Sequence, residues 1–267
     1  MTSKPSVYVV NDPDGFKQAN LDNWRTNSVF WLQGRMRHLK DVATFTRDEL
    51  ARLLQLTARE GSLPTLMDFG CGDGWIYRLV YENKLDARYI GIDFNEDFIS
   101  ELKRRYGEGG DHGFLCFDLE KPPPPELLGQ ADVGVNFFNF FEIPNIEAGF
   151  EHVTSMIRLG GRLLVVNIDP VMQLLAVSEN HANFIENLRL YEEYKHQLGY
   201  DKDIDIGDIP SQRIYKSLLY STATYVQLGK RVGLHLEDYK EVIKTGNAVP
   251  QIYQFLFFTK IIPANGM

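Results

Sequence analysis

Three glycines at alternate positions lie between a predicted strand and a predicted helix. They are Gly70, Gly72 and Gly74 of the segment MDFGCGDGW, residues 67–75. Ligands of an open α/β sheet bind beyond the carboxyl ends of its strands. Glycines at such a position allow a tight turn and let a ligand approach the main chain. The segment therefore predicts a loop that binds a cofactor.

Carboxylates end the next two predicted strands, with Asp93 in GIDF and Asp118 in FDLE. A carboxylate at the first position can accept hydrogen bonds from both hydroxyls of a ribose. One at the second position can accept from an exocyclic amine, with Phe117 or Leu119 packed on an adenine ring. A capped turn explains each of them alone, but their order on consecutive strand ends favours a ligand that contains a nucleoside.

Two common nucleotide-binding signatures do not match this loop. A dinucleotide fingerprint would place its third glycine at position 75, where the chain has Trp75. No Gly-Lys-Ser or Gly-Lys-Thr follows, so the loop is not a phosphate-binding P-loop. A nicotinamide-dependent oxidoreductase is therefore a disfavoured alternative.

Strand and helix patterns alternate through the middle of the chain. Strands that are apolar on both faces and alternate with helices indicate a parallel sheet covered on both sides. Two strand-like segments near the C-terminus predict an antiparallel edge. We therefore expect an α/β fold with a doubly wound, mostly parallel, seven-stranded sheet and a helical cap. The predicted strands are residues 65–70, 88–94, 113–119, 131–138, 162–169, 234–243 and 251–262.

The chain divides into four predicted segments. In the segment before the core, residues 44–60 have the clearest helical pattern, and Thr46 and Glu49 have the spacing of a capping box. The segments are an N-terminal helical cap (1–60), a cofactor-binding α/β core (61–169), a lid or substrate insertion (170–221), and a C-terminal helix with a strand pair that completes the sheet (222–267).

Composition and charge limit the partners. The 267 residues carry a net charge of −8, which argues against a broad basic face for nucleic acid or an anionic membrane. The N-terminus shows no secretory signal, and no apolar run approaches the roughly 20 residues that span a bilayer. Two cysteines cannot build a disulfide framework, so a reducing compartment is the simple interpretation. We expect a cytoplasmic protein, with a homodimer as an open alternative to a monomer.

Taken together, the motifs resemble those of the class I S-adenosylmethionine-dependent methyltransferases. The similarity rests on DFGCGDG, GIDF, CFDL, NFFNFFEIPN and MIRLGGRLLVV. In that family the last segment commonly reads L-K-P-G-G-x-L, and here Arg158 and Leu159 replace the Lys-Pro. The resemblance implies S-adenosylmethionine as the cofactor. This sulfonium cation carries no phosphate, so a carboxylate-rich site suits it better than it suits a dinucleotide.

The resemblance also implies a role for each residue of the predicted site. The loop from Gly70 to Gly74 would contact the methionine part of the cofactor, and Asp93 would hold the ribose. Phe94 would lie beside the adenine, and Asp118 with Leu119 would hold its amine and ring edge. The complete predicted cofactor set is Asp68, Gly70, Cys71, Gly72, Asp73, Gly74, Asp93, Phe94, Phe117, Asp118, Leu119, Asn136 and Phe137, of which the last two would line the methyl side.

Methyl transfer is an in-line displacement that needs alignment and the exclusion of water. A base is needed only when the attacking atom of the acceptor carries a proton. Glu142 is the first catalytic candidate, because residues that follow the fourth strand face the acceptor in this family. A solvated loop carboxylate is an equally good interpretation. His181 in the predicted lid is the second candidate, although a surface position is more usual for a lone histidine.

Four residues are predicted to contact the acceptor. Trp24 and Trp31 are candidates for the roof of a pocket, although packing of the cap on the core explains such aromatic residues as well. Phe141 belongs to the apolar wall that follows the fourth strand, and Arg213 is a candidate on the lid side.

A metal site is the last candidate feature. Asn136, Asn167 and Asp169 end predicted strands where a related class of methyltransferases binds magnesium, but such a site needs two acidic ligands. We therefore expect no metal. The sequence predicts an S-adenosylmethionine-dependent methyltransferase that methylates oxygen, nitrogen or carbon of a small molecule. The alternative is a protein that binds S-adenosylmethionine or S-adenosylhomocysteine without methyl transfer.

Overall fold

The structure is a computed structural model that describes residues 7–31, 40–194, 197–203, 214–245 and 249–261. Its strands are β1 (Val7–Val9), β2 (Thr65–Phe69), β3 (Arg88–Asp93), β4 (His112–Cys116), β5 (Ala131–Phe137), β6 (Ile157–Ile168), β7 (Leu198–Asp203), β8 (Ile214–Leu218), β9 (Leu234–Lys244) and β10 (Gln251–Lys260). Its α-helices are α1 (Pro13–Trp31), α2 (Lys40–Thr57), α3 (Trp75–Glu82), α4 (Glu96–Tyr106), α5 (Ile146–Met156), α6 (Pro170–Val177), α7 (His181–Tyr194) and α8 (Thr222–Arg231).

The main sheet has seven strands in the order β4-β3-β2-β5-β6-β10-β9. Neighbouring strands from β4 to β6 run parallel, whereas β10 is antiparallel to both β6 and β9. This topology confirms the predicted doubly wound α/β fold with an antiparallel edge. The strand order reverses between β2 and β5, and such a reversal leaves a crevice at the carboxyl ends of the strands.

Both faces of the sheet are apolar, because helices cover each of them. Every residue of β2 and β5 is buried. On one face Leu50 and Leu53 of α2 belong to a core cluster with Val133 of β5. On the other face Phe150 of α5 and Leu228 of α8 belong to a second cluster that includes other residues of the same strands. These layers hold the strand ends in a fixed arrangement beneath the site.

A second sheet, which we call the cap sheet, consists of β1, β7 and β8. Its strands pair antiparallel, so the N-terminal segment and the segment after β6 meet in one unit. Tyr8 of β1 donates to the carboxylate of Asp201 of β7 at 2.7 Å, and Lys216 of β8 pairs with the same carboxylate at 3.0 Å. Helix α1 lies against β8, where Asn20 exchanges two hydrogen bonds with the main chain of Lys216.

The N-terminal helices differ from the expected cap in one respect. Helix α2 begins at Lys40, so Thr46 lies within it and donates to the carbonyl oxygen of Val42 at 2.7 Å. The predicted capping box at Thr46 is therefore wrong, and Glu49 instead binds Arg52 and Lys240. Because α2 packs on the main sheet, the division into cap, core and lid stays a prediction. Within the described part of the chain, no helix is long and apolar enough to cross a membrane.

Candidate cofactor and acceptor site

The glycine loop turns sharply after β2 and is held against the end of β3. The main-chain N–H groups of Gly70 and Cys71 both donate to the carbonyl oxygen of Ile92, at 2.8 and 2.9 Å. Gly70 has a φ of 81°, and a β-carbon there would lie 2.3 Å from the side chain of Asn139. Only glycine fits this position, because any side chain would meet both a left-handed main chain and a neighbouring residue.

Asp93 joins the glycine loop to the helix that follows β3. One of its carboxylate oxygens accepts from the N–H of Gly72 at 2.8 Å, and the other accepts from the N–H of Asn95 at 2.9 Å. Burial raises its pKa to about 6, against the lowering effect of these hydrogen bonds. Each carboxylate oxygen can accept a further hydrogen bond. The carboxylate is thus fixed in place with acceptor capacity left for two hydroxyl groups.

Asp68, two positions before Gly70, is a buried carboxyl group with one oxygen engaged. Tyr89 donates to its Oδ2 at 2.6 Å, while Oδ1 has no hydrogen-bond partner among the described residues. Its pKa is raised to about 7, chiefly by burial; the Tyr89 hydrogen bond lowers it, and repulsion from Asp93 and Asp73 contributes to the rise. A buried oxygen of this kind favours a cationic or N–H donor nearby, because an unpaired polar atom is costly in the interior.

A narrow cleft, which we call the cofactor cleft, lies between the strand ends and α1. Its free volume is about 30 Å³. Beside it is a larger open groove of about 550 Å³, which we call the outer groove. The two share Lys17, Phe94, Phe117 and Asp118. The cofactor cleft is lined by Lys17, Asn20, Gly70, Asp93, Phe94, Phe117, Asp118, Leu119, Glu120, Asn139, Glu142 and Ile143.

One face of α1 supplies the wall opposite the strand ends. Lys17, Asn20 and Trp24 are three and four residues apart, so they lie on the same side of the helix. Lys17 Nζ pairs with Asp118 Oδ2 at 2.7 Å and also with Glu120. Lys17, Asn20 and Glu120 are not among the site residues predicted from the sequence. The helical spacing of Lys17 and Asn20 relative to Trp24 was the available signal.

Glu142 enters the cleft from a short 3-10 helix, Phe140–Glu142, that follows β5. Trp24 Nε1 donates to its Oε2 at 2.6 Å. Burial raises the pKa of Glu142 to about 8; the Trp24 hydrogen bond lowers it and the charge of Asp93 raises it. Near neutral pH the group therefore exchanges a proton readily, as a general base or acid must.

The chain reaches Glu142 through a strained turn. Phe138 has a φ of 59°, a conformation that bulky residues rarely adopt. Its ring nevertheless packs on Phe137 and Tyr253, with centroids 4.1 and 5.6 Å away. The turn directly follows β5, and Asn139 and Glu142 after it line the cleft. Strain of this kind is common beside functional sites.

Several predicted cofactor residues are present at the site but do not line the cleft. The side chain of Asn136 is fully buried, donates to the carbonyl oxygen of Phe69 at 3.0 Å and accepts from the N–H of Phe140 at 3.1 Å. Phe137 packs on Trp75, with ring centroids 4.4 Å apart. Their observed contacts support the end of β5, and their expected contact with the methyl side stays a prediction.

Asp73 and Cys71 of the glycine loop are both buried, and Asp73 has an ion-pair partner within the protein. Asp73 pairs with Arg78 at 2.7 Å. Cys71 is a buried thiol whose pKa is raised by burial and by repulsion from nearby carboxylates. Gly74, with a φ of 76°, lies at the start of α3 and contacts α4, since a β-carbon there would be 2.7 Å from Leu102.

The remaining candidates fall into three groups. His181 is exposed at the start of α7 and does not line the cofactor cleft, so the structure does not bring it to Glu142. Phe141 is half-buried beside Phe138, with centroids 6.2 Å apart. Trp31 is the last residue of α1, and its side chain and the whole of Arg213 lie outside the described residues.

The positions considered for a metal have other contacts. Asn167 donates to the carbonyl oxygen of Tyr220 at 3.1 Å. Asp169 accepts from the N–H of Met172 at the start of α6 and from Gln254 at 2.8 Å. In the described ranges, no three His, Cys, Asp or Glu residues are grouped so as to hold a metal ion.

The fold and the glycine loop define the Rossmann-like class I methyltransferase fold. Solved structures with low sequence identity share it. A 1,6-didemethyltoxoflavin-N1-methyltransferase from Burkholderia thailandensis, crystallised with S-adenosylhomocysteine, has a TM-score of 0.60 and 13% identity, with 97% of this chain and 100% of that chain covered. A chain from Listeria monocytogenes described as a putative S-adenosylmethionine-dependent methyltransferase has a TM-score of 0.54 and 14% identity, covering 79% and 97%.

Residues 67–163 match the family model described as a methyltransferase domain. This match covers the glycine loop, Asp93, Asp118 and Glu142, so the α/β core is similar to S-adenosylmethionine-dependent methyltransferases both in sequence and in fold.

Two curated relatives match part of the chain. The polyketide methyltransferase ustM of Ustilaginoidea virens is 29% identical in an alignment of 180 residues, which covers 60% of this chain and 41% of the relative. The putative methyltransferase 235L of Invertebrate iridescent virus 6 is 29% identical over 132 residues, 49% of this chain and 44% of the relative. The chain thus spans less than half the length of either relative.

The residues of the site fit S-adenosylmethionine. Among the residues that line the cofactor cleft the charged groups are mainly carboxylates, and Lys17 is the one cation. Asp93 has acceptor capacity for two hydroxyls, and Asp68 has an unpaired buried oxygen for a cationic donor. The glycine loop has open space at Gly72, where a β-carbon would meet no atom within 4 Å. The roles of the individual residues stay predictions.

Proposed function

We propose that the protein is an S-adenosylmethionine-dependent methyltransferase that acts on a small molecule. The observation that carries the proposal is the placement of Glu142 in the same narrow cleft as Asp93, Asp118 and the glycine loop. The polyketide methyltransferase ustM and the didemethyltoxoflavin methyltransferase support it, because the names of both proteins specify a small-molecule acceptor. Helix α1 closes one side of the cleft, which favours a small enclosed acceptor over a macromolecule.

S-adenosylmethionine, when bound, supplies an electrophilic methyl group. Glu142 in its carboxylate form accepts the proton that a hydroxyl, ammonium or activated C–H group of the acceptor must lose. Trp24 holds Oε2 by a hydrogen bond of 2.6 Å, so Oε1 is the oxygen that receives the proton. A base with a pKa of about 8 is matched to this task near neutral pH.

The cofactor is held by groups that surround the glycine loop. Asp93 accepts from the ribose hydroxyls, and Asp118 accepts from the adenine amine. Phe94 and Phe117, which line both the cofactor cleft and the outer groove, pack on the purine ring. Phe140 and Ile143 are buried next to Glu142 and exclude water from the acceptor side.

The test incubates the purified protein with S-adenosylmethionine and a metabolite extract, and measures S-adenosylhomocysteine together with any product heavier by one methyl group. Glu142→Gln keeps the size of the side chain and an oxygen that accepts from Trp24, but it cannot accept a proton. We expect it to lower turnover by about 100-fold or more while cofactor affinity changes little. Glu147→Gln is the control, because Glu147 is a 70% exposed carboxylate on α5.

Two outcomes contradict this proposal. Tight binding of S-adenosylhomocysteine without turnover on any acceptor would favour a protein that binds the cofactor without methyl transfer. Turnover that is unchanged in Glu142→Gln would show that this residue is not the base. A separate variant, Asp93→Asn, tests the ribose site, and cofactor affinity equal to that of the wild type would place the ribose elsewhere.

A further inference from the structure

Lys17 binds one carboxylate oxygen of Asp118, the residue proposed to accept from the adenine amine of the cofactor. Its Nζ lies 2.7 Å from Asp118 Oδ2 and also pairs with Glu120. The other oxygen of Asp118 accepts from the N–H of Glu120 at 3.0 Å. Each carboxylate oxygen of Asp118 thus accepts one hydrogen bond and keeps one further lone pair. An amine that approaches Oδ2 nevertheless meets the Lys17 ammonium, which is a charged donor at the same oxygen, so the two groups compete for that position.

The shape of the site gives a second, independent observation. The cofactor cleft is narrow, with a free volume of about 30 Å³. The outer groove beside it has about 550 Å³. Lys17 lines both, together with Phe94, Phe117 and Asp118. The lysine therefore lies where the narrow cleft meets the larger groove, and two aromatic side chains suited to a purine line the same two spaces.

Lys17 can leave this position without movement of α1. The helix is anchored further along by Asn20, which bonds the main chain of Lys216, and by Trp24, which bonds Glu142. The Lys17 ammonium is carried on a flexible four-carbon chain and is itself 29% exposed. Rotation of this side chain towards the outer groove would free Asp118 and join the two spaces.

We propose that the Lys17 ammonium takes the place of the adenine 6-amino group at Asp118 and is displaced from Asp118 and Glu120 when the cofactor binds. Lys17 is thereby a determinant of cofactor affinity, since its two ion pairs oppose binding of the adenine. This inference rests on the proposed function, and in particular on Asp118 as the acceptor for the adenine amine.

The test measures the dissociation constants of adenosine and of purine riboside, which lacks the 6-amino group. Both ligands are uncharged, so the loss of a positive charge from the protein does not attract them. In Lys17→Met we expect adenosine to bind about threefold to tenfold more tightly, because two partly buried ion pairs no longer have to break. The affinity for purine riboside should increase much less, because this ligand has no amino group to donate to the freed oxygen of Asp118.

Two further variants separate this effect from changes in fold or general charge. Lys17→Arg keeps the cation and should retain the weaker adenosine binding of the wild type. Lys121→Met removes a lysine that also lines the outer groove and that forms no ion pair with a described residue, and it should leave both affinities unchanged. Thermal unfolding of each variant checks that its fold is intact.

The outcomes are distinguishable from failure of the proposed function. The role of Lys17 would be overturned if Lys17→Met increased the affinity for both ligands equally, or did not increase the affinity for adenosine. Either result would count even if S-adenosylhomocysteine binds the wild type tightly. Wild-type protein that binds neither S-adenosylhomocysteine nor adenosine would overturn the proposed function, and this inference with it.

Discussion

Replacement of Glu142 by glutamine should make the protein without cofactor more stable, and increasingly so as the pH rises. The ordinary pKa of glutamate is 4.5, whereas in the folded protein burial raises that of Glu142 to about 8. The folded state therefore binds this proton more tightly than the unfolded chain. The contribution of this group to the free energy of unfolding is therefore fully present below about pH 4.5 and is lost as the pH rises through about 8.

The size of the effect follows from the difference between the two pKa values. A pKa raised from 4.5 to about 8 corresponds to up to about 5 kcal/mol of lost stability once the folded carboxyl is ionised. Solvent that reaches this partly buried group reduces the cost, so we expect about 2–4 kcal/mol. Glutamine avoids the cost because it stays neutral, and its amide oxygen still accepts the hydrogen bond of Trp24.

The assay is urea unfolding followed by circular dichroism at several pH values from about 5 to about 9. The informative quantity is the free energy of unfolding of Glu142→Gln minus that of the wild type. This difference isolates Glu142, since Asp68 and Asp93 titrate in both proteins. The difference in the free energy of unfolding should be near zero at about pH 5 and should rise to a few kcal/mol at about pH 9. A difference that stays constant with pH, or one that Glu147→Gln reproduces, would refute the reasoning.

Two matched pairs of substitutions test the packing around the site. Tyr220 and Tyr225 are both fully buried, but the hydroxyl of Tyr220 donates to a main-chain carbonyl at 2.9 Å, whereas that of Tyr225 has no partner among the described residues. Tyr220→Phe should therefore lower the free energy of unfolding by about 1 kcal/mol, whereas Tyr225→Phe should leave it unchanged or raise it; equal losses would contradict this assignment. Gly70→Ala should destabilise by about 3 kcal/mol or more, because its β-carbon would overlap Asn139 and its φ is 81°. Gly72 has a φ of 51° and open space around it, so Gly72→Ala should lower the free energy of unfolding by only about 1 kcal/mol. Urea unfolding measures both glycine variants, and the opposite order of their losses would show that the loop can rearrange.

The sheet and the cofactor end of the site could be predicted from the sequence, because their signals are local. Apolar runs such as residues 131–138 mark strands that are buried on both faces, and the observed strand Ala131–Phe137 is buried throughout. Asp93 and Asp118 follow directly from the positions of strand ends, since the carboxyl ends of parallel strands share one edge of the sheet. The structure places both residues on the wall of the cofactor cleft.

The cap sheet and the contacts of α1 could not be predicted in the same way. Strand β1 has only three residues, and β7 reads LGYDKD, which has no strong strand pattern. The contacts of Lys17 with Asp118 and of Trp24 with Glu142 join positions 101 and 118 residues apart. Neither the spacing nor the type of these residues indicates the partner, because the partner is chosen by how the helix lies on the sheet.

Asn136 shows a different limit. Its position at the end of β5 is visible in the sequence, and the expected contact with the cofactor follows from that position. The structure shows a fully buried amide that bonds main-chain groups of Phe69 and Phe140, and the contact with the cofactor stays a prediction. A strand-end position indicates the edge of the sheet on which a residue lies, but not whether its side chain is used by the protein itself.

The cap sheet has a consequence for the order in which the molecule folds. Its first strand pairs with a strand from far along the chain, and Tyr8 and Asp201 are 193 positions apart. During synthesis the parallel strands of the main sheet can assemble before β7, the strand that pairs with β1, has been made. Contacts so distant in sequence form late and open early. Amide hydrogen exchange should therefore be faster in β1 and β7 than in β2 and β5, and the wall around Glu142 would be the last part of the site to become protected from solvent.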